Sequence, residues 1–237
     1  MLSDSLLNTT NGNISTGIEA NDSIKAVVDF IKKHFGAFAE KYRHGDVSTE
    51  KGLNQKLCIF FNIRTKAEPF FFHHEFMENT ASGKSPQVDI GTILIPDILE
   101  VADRQYNESD SFFSIEAKRL PTEGTNREKE YVIGHPSPSG AIERFKKGIH
   151  GSRLKFAAII GYVQNNSFDH WFLKVNSWIE ELAIDSSQSL WSNNDMLEKS
   201  INNNSDPFWE LISENQRDNG GGQLDTIKIF HFWINLI

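Results

Sequence analysis

Residues 113–120 read Phe-Ser-Ile-Glu-Ala-Lys-Arg-Leu, a short apolar and β-branched run that is typical of a strand. Side chains alternate between the two faces of a strand, so Glu116 and Lys118 share one face while Ile115 and Ala117 share the other. A carboxylate and an ammonium group therefore stand together on a strand that otherwise looks buried.

A second segment, residues 86–91, reads Pro-Gln-Val-Asp-Ile-Gly and predicts another strand, with Asp89 between apolar neighbours. If the two strands pair, Asp89 joins Glu116 on one face and gives Mg²⁺ or Mn²⁺ two hard oxygen ligands. A metal held there would lower the pKa of a bound water, and Lys118 would stabilise negative charge on a phosphodiester. The pattern predicts hydrolytic nuclease chemistry with Asp89, Glu116 and Lys118 as catalytic residues.

Apolar periodicity along the rest of the chain predicts the order helix, helix, three strands, helix, strand, helix, strand. The first two helices begin near residues 22 and 49, and two more cover residues 140–148 and 168–183. Five strands are predicted, at residues 69–76, 87–95, 111–120, 156–164 and 226–236. This alternation is typical of the α/β class.

Composition predicts two less regular regions. Residues 1–21 are rich in Asn, Ser and Thr and form a loose N-terminal leader by this criterion. Residues 22–237 form one domain, within which residues 186–222 are polar and end in a glycine run, so we expect a long surface excursion there.

The bulk numbers restrict the class of protein. The chain has 237 residues, enough for one sizeable core, and a single cysteine, Cys58, which excludes an internal disulfide and a multi-cysteine zinc site. It carries no long apolar run at either end, so we expect a cytoplasmic protein without a membrane segment.

The net charge of −8 disfavours general attraction to nucleic acid, but residues 139–155 hold five basic side chains against one acid. A polyanion is therefore expected to bind there, although a solvated helix face would show the same charge run.

Asp89, followed after 26 intervening residues by Glu116-Ala117-Lys118, resembles the PD-(D/E)xK nuclease superfamily. Two residues separate Pro86 from Asp89 where the short signature has none, a departure that is frequent in that superfamily. The resemblance implies a restriction-endonuclease-like fold, in which helices flank a mixed central sheet. It also implies a Mg²⁺- or Mn²⁺-dependent endonuclease that acts on DNA, of the restriction or phage-defence type.

The resemblance extends the candidate site beyond the three catalytic residues. It implies metal contacts from Glu50, on the preceding helix, and from the backbone carbonyl of Ala117. It also implies phosphate contacts from the basic helix after the motif, where Arg144 and Lys147 are three residues apart and share a face. Gln87 is a further candidate for orienting water or substrate.

Simpler explanations exist for these residues. A Glu-x-Lys pattern also occurs as a surface ion pair on an exposed antiparallel strand. Glu50 is favoured in the first turn of a helix by the helix dipole alone, and Gln87 stands where polar residues often begin a strand.

Three functions are consistent with the pattern: a DNA endonuclease, a nuclease of RNA or single strands, and an inactive nuclease-fold subunit that binds a partner protein. A homodimer is a reasonable assembly for an enzyme that cuts both strands.

Overall fold

The computed structural model describes residues 20–45, 49–79, 85–95, 98–101, 104–107, 109–124, 127–205, 207–218 and 224–237. The predicted leader lies outside these ranges except for its last two residues, which begin the first helix. None of the helices within these ranges is long and apolar enough to cross a membrane.

The four predicted helices are confirmed. They are α1 (Ala20–Tyr42), α2 (Glu50–Asn62), α3 (Ala141–Lys146) and α4 (Phe168–Ile184). Thr49 caps α2 and Ser167 caps α4, because each side-chain oxygen accepts a hydrogen bond from a free N–H group of the first helical turn. The cap at Thr49 sets where α2 begins and so where Glu50 stands.

The five predicted strands are also confirmed, and the described residues contain four further strands. The strands are β1 (Phe70–Met77), β2 (Gln87–Leu94), β3 (Ile98–Val101), β4 (Arg104–Asn107), β5 (Ser111–Leu120), β6 (Phe156–Val163), β7 (Glu198–Ser205), β8 (Phe208–Asp218) and β9 (Leu224–Asn235). Seven of them form one sheet in the order β1-β2-β5-β6-β9-β8-β7, and β3 pairs only with β4.

The seven-stranded sheet is mixed. β5, β6 and β9 run parallel, whereas β1, β2, β7 and β8 pair antiparallel with their neighbours. The chain is therefore an α/β protein with a mixed sheet flanked by helices, and β5 lies near the middle of that sheet.

The surface excursion predicted for residues 186–222 differs from the structure, which places β7 and β8 inside that range. Asn- and Ser-rich composition favours loops, but the second half of β8 alternates the buried Ser213, Asn215 and Arg217 with exposed polar residues. The buried Arg217 is held inside by the carbonyl of Gly151 at 2.8 Å and by Asp225 at 2.7 Å. Buried polar groups that find partners allow a polar sequence to form an inner strand.

Two apolar clusters cover the two faces of the sheet. One packs α1 and α2 against a face that includes Ile115 and Ala117 of β5. The other packs α3 and α4 against the opposite face, which includes Leu120. By alternation, Glu116 and Lys118 lie on the second face, under α3.

Candidate active site

β2 and β5 are antiparallel neighbours, as the sequence analysis required. Their register pairs Ile90 with Ile115, and Asp89 and Glu116 are the next residues beyond that pair. Asp89 Oδ2 accepts a hydrogen bond of 2.8 Å from the backbone N–H of Ala117. The pairing of two strands thus brings the two carboxylates of the motif together.

Lys118 is buried among carboxylates rather than exposed as a surface ion pair. Its side chain is 7% exposed, and Nζ lies 3.1 Å from Glu50 Oε1 and 3.5 Å from Glu116 Oε1. Burial alone would lower the pKa of Lys118, but Glu116, Glu50 and Asp89 together raise it above its usual value. Lys118 is therefore protonated at neutral pH.

Glu50 reaches this group from the first turn of α2. Besides its contact with Lys118, its Oε2 accepts a hydrogen bond of 3.3 Å from the backbone N–H of Arg119. The carboxylate thus points from the N-terminus of α2 onto β5. Glu50 is therefore stabilised by residues of β5 as well as by the dipole of its own helix.

The surroundings of Asp89 disfavour a negative charge on its carboxyl group. Burial raises its pKa well above the usual range, the nearby Glu116 raises it further, and Lys118 only partly opposes the two effects. A cation placed between Asp89 and Glu116 would relieve this repulsion and favour the ionised form of Asp89.

Glu116 is 1% exposed and only one of its two oxygens is satisfied. Oε1 accepts hydrogen bonds from Arg144 Nη1 at 3.0 Å and from Lys118 at 3.5 Å. Oε2 accepts no hydrogen bond, and His150 Nε2 lies 3.6 Å from it. A buried carboxylate oxygen without a donor is costly, so this atom suits a ligand such as a metal ion.

Sequence reasoning missed two residues that adjoin the site, His150 and Glu78. His150 follows α3 and lies between Glu116 and Glu78, with its Nδ1 3.5 Å from Glu78 Oε2. Glu78 follows β1 and accepts hydrogen bonds from Ser114 Oγ at 2.8 Å and from the backbone of Gly151 at 2.9 Å. No spacing rule links these positions, because they meet only when β1, β5 and the segment after α3 assemble.

Most basic side chains of the stretch at residues 139–155 are paired with acidic residues of the protein. Four of its five basic side chains form ion pairs: Arg144 with Glu116, Lys146 with Asp195, Lys147 with Glu143 and Lys155 with Asp225. Lys146 is fully buried, whereas Lys147 keeps 43% of its side chain exposed. Helical spacing located α3, but it could not show which charges other elements would cover.

The two phosphate-contact candidates therefore differ in position. The guanidinium of Arg144 is directed at Glu116, while Lys147 is bound to Glu143 at the surface at 2.6 Å. Gln87 lies exposed at the first position of β2, two residues before Asp89.

The described part of the chain contains no group of three or more His, Cys, Asp and Glu side chains arranged as a metal-binding cluster. Lys118 and Arg144 both donate to Glu116 Oε1 and leave Oε2 to a ligand. The donor set still fits a hard divalent cation, because Asp89 and Glu116 repel each other and Glu116 Oε2 has no partner. Glu50 and the Ala117 carbonyl remain candidates for completing the ligand set.

Comparison of the chain with protein-family models, with curated proteins and with solved structures found no match.

Proposed function

We propose that this protein is a metal-dependent nuclease of the PD-(D/E)xK superfamily that hydrolyses phosphodiester bonds of DNA. The observation that supports this most is the group formed by Asp89, Glu116 and Lys118, on two neighbouring strands with Lys118 buried beside the carboxylates. Buried carboxylates in excess of cations are uncommon in a structural role, because desolvated like charges destabilise the fold.

In this proposal Asp89 and Glu116 hold Mg²⁺ or Mn²⁺, assisted by Glu50 and the Ala117 carbonyl. The chemistry that the bound ion supplies is activation of a water molecule for attack on phosphorus. Lys118 remains protonated because three carboxylates surround it, so it stabilises negative charge on the phosphate and does not accept a proton.

Substrate contact outside the metal centre falls to the basic side chains near α3. Lys147 is the best-exposed member of the predicted pair, and Arg153 is exposed in the turn that follows. A phosphate that approached Lys147 would compete with Glu143 for the ammonium group.

Cleavage of supercoiled plasmid at low salt, with Mg²⁺, Mn²⁺ or EDTA, tests the proposal. We expect metal-dependent cutting by the wild type, loss of cutting in Asp89→Ala and Glu116→Gln, and full activity in Glu123→Gln. Glu123 is a suitable control because its carboxylate is 76% exposed and it lies on the same segment after β5. Retained cutting by Glu116→Gln would contradict the assigned site.

One observation favours a second candidate, an inactive nuclease-fold subunit that binds a partner protein. Four of five basic side chains near the motif are paired internally, and the net charge is −8. Absence of metal binding in calorimetry would favour this candidate. Matched DNA and RNA oligonucleotides separate the DNA nuclease from an RNA nuclease, because none of the proposed catalytic groups distinguishes the two sugars.

A further inference from the structure

Arg144 contacts two residues of the candidate site, Glu116 and His150. Its Nη1 donates to Glu116 Oε1 at 3.0 Å and lies 3.0 Å from His150 Nε2. A guanidinium can only donate, so His150 Nε2 accepts and the imidazole carries its proton on Nδ1. The guanidinium is thus held from two sides, with 29% of the side chain exposed.

His150 lies beside Glu78, which anchors the backbone of the next residue. The imidazole is 1% exposed, and its Nδ1 makes no hydrogen bond but faces Glu78 Oε2 at 3.5 Å. Both Glu78 oxygens also accept the N–H of Gly151, at 2.9 and 3.0 Å, and Ser114 of β5 donates to the same carboxylate. Gly151 has φ +57°, a left-handed conformation that favours glycine, so the backbone turns sharply at this anchor.

These contacts restrain one oxygen of Glu116 and leave the other without a donor. Oε1 is held by Arg144 and Lys118, whereas Oε2 accepts no hydrogen bond although it is buried. Fixing one carboxylate oxygen limits rotation of the group and keeps the second oxygen ready to bind a metal.

We propose that Arg144 and His150 are positioning residues that hold Glu116 for a divalent cation, with Glu78 as their anchor, and that Arg144 does not contact substrate phosphate. Lys147, which follows directly after α3, is then the phosphate contact. This assignment rests on the proposed nuclease function and changes the role that the sequence resemblance implied for Arg144.

The two roles of Arg144 have different thermodynamic consequences. Loss of a residue that orients a metal ligand lowers metal affinity by about 10- to 100-fold. Loss of a phosphate contact leaves metal affinity unchanged and reduces by about one the slope of log affinity for DNA against log salt.

The experiment compares the wild type with Arg144→Ala, Arg144→Lys and the matched control Lys147→Ala, which changes the next exposed cation of the same helix. Mn²⁺ affinity is measured by calorimetry, and binding of a fluorescent DNA duplex in saturating Ca²⁺ is measured by anisotropy across a salt series. We expect Arg144→Ala to lose about 10- to 100-fold in Mn²⁺ affinity with an unchanged salt slope. Lys147→Ala should show the opposite pattern.

Arg144→Lys separates positioning from a general loss of folding. It keeps a positive donor beside Glu116, so its Mn²⁺ affinity should lie between those of the wild type and Arg144→Ala. Circular dichroism identifies a variant that fails to fold. If Arg144→Ala does not fold, the Mn²⁺ affinity of Arg144→Lys is compared with that of the wild type instead.

Two outcomes overturn the assignment, and they are distinguishable. A reduced salt slope with unchanged Mn²⁺ affinity in the Arg144 variants would make Arg144 a phosphate contact within a working nuclease. Absence of Mn²⁺ binding by the wild type would reject the proposed function itself.

Discussion

Lys118 and Lys146 are both buried lysines, yet they lie in opposite electrostatic surroundings. Lys146 and its partner Asp195 are both 0% exposed and 2.6 Å apart, and burial lowers the pKa of Lys146 although Asp195 opposes the shift. Lys118 has three carboxylates around it, and its pKa is raised in spite of burial. The first arrangement balances charge within the fold, whereas the second leaves an excess of negative charge.

That difference separates a structural pair from a candidate site. Lys146 Nζ also lies 5.0 Å from the centroid of the Trp191 ring, so the ammonium group is covered by that ring as well as by Asp195. The Lys118 group keeps Glu116 Oε2 without a donor. We therefore expect changes at Lys146 to affect stability and changes at Lys118 to affect metal-dependent chemistry.

The largest effect is expected for Lys146→Ala. Removing one partner of a buried ion pair leaves Asp195 uncompensated and should cost about 3–5 kcal/mol of unfolding free energy, measured by urea denaturation. Replacing both partners, with Lys146→Met and Asp195→Leu, should recover most of that loss. A cost no larger than that of the exposed Lys147→Ala would contradict the structural role.

Lys118→Ala should lower kcat by about 10²- to 10³-fold, because it removes a preorganised positive charge from the reacting phosphate. Plasmid cleavage at saturating metal measures this loss. Mn²⁺ binding should persist, since the carboxylates remain, and Lys129→Ala, which changes a lysine with 48% side-chain exposure, should cleave normally. Normal kcat in Lys118→Ala would remove Lys118 from the chemistry.

Divalent metal should stabilise the wild type by about 2.7 kcal/mol when its concentration is 100 times Kd, because the ion binds only the folded cluster. Thermal melts with and without Mn²⁺ measure the gain, which Asp89→Asn should abolish. Without metal, Asp89→Asn should be more stable than the wild type, because it removes a carboxyl group whose ionised form is disfavoured by burial and then by repulsion from Glu116, the two causes that raise its pKa. A metal-induced gain equal in both proteins would place the ion elsewhere.

A smaller, pH-dependent effect on the free energy of unfolding is expected from His231. Like Lys146, His231 is fully buried and bonded to polar partners inside the protein. Its ring bonds Tyr131 at 2.8 Å and Ser213 at 2.9 Å, and burial lowers its pKa from 6.5 to about 3. Between these two values the unfolded chain binds a proton that the folded chain does not, so stability falls as pH falls.

The expected slope from His231 is about 1.4 kcal/mol per pH unit below pH 6.5. Urea denaturation of wild type and His231→Gln across that range measures it, because the other titrating groups contribute equally to both proteins. Parallel curves would show that His231 titrates alike in the folded and unfolded states.

Much of the architecture could be predicted from local patterns. Helical and alternating periodicities located four helices and five strands, and alternation alone set Glu116 and Lys118 on one face of β5. β7 and β8 were missed because their composition resembles a loop. Their strand structure depends on the pairing of β7 with β8 and of β8 with β9, and on partners such as Asp225 for the buried Arg217.

The residues of the candidate site were likewise predictable only where local patterns relate them. Asp89, Glu116 and Lys118 were found because a strand pattern fixes which side chains share a face, and Glu50 was found through the helix that precedes them. Glu78 and His150 were not found, since the contacts of Glu78 with Ser114 and Gly151 join residues 36 and 73 positions apart.

By itself, the sequence determined which residues can lie together within one strand or one helical turn, because backbone geometry imposes those periods locally. Only the tertiary structure decided which charges are balanced. Arg144, Lys146 and Lys147 are near neighbours at the end of α3. Arg144 is bound to Glu116, Lys146 is buried with Asp195, and Lys147 is partly exposed and paired with the buried Glu143. Their different surroundings come from elements distant in the chain, whose packing sets both the dielectric environment and the partner of each charge.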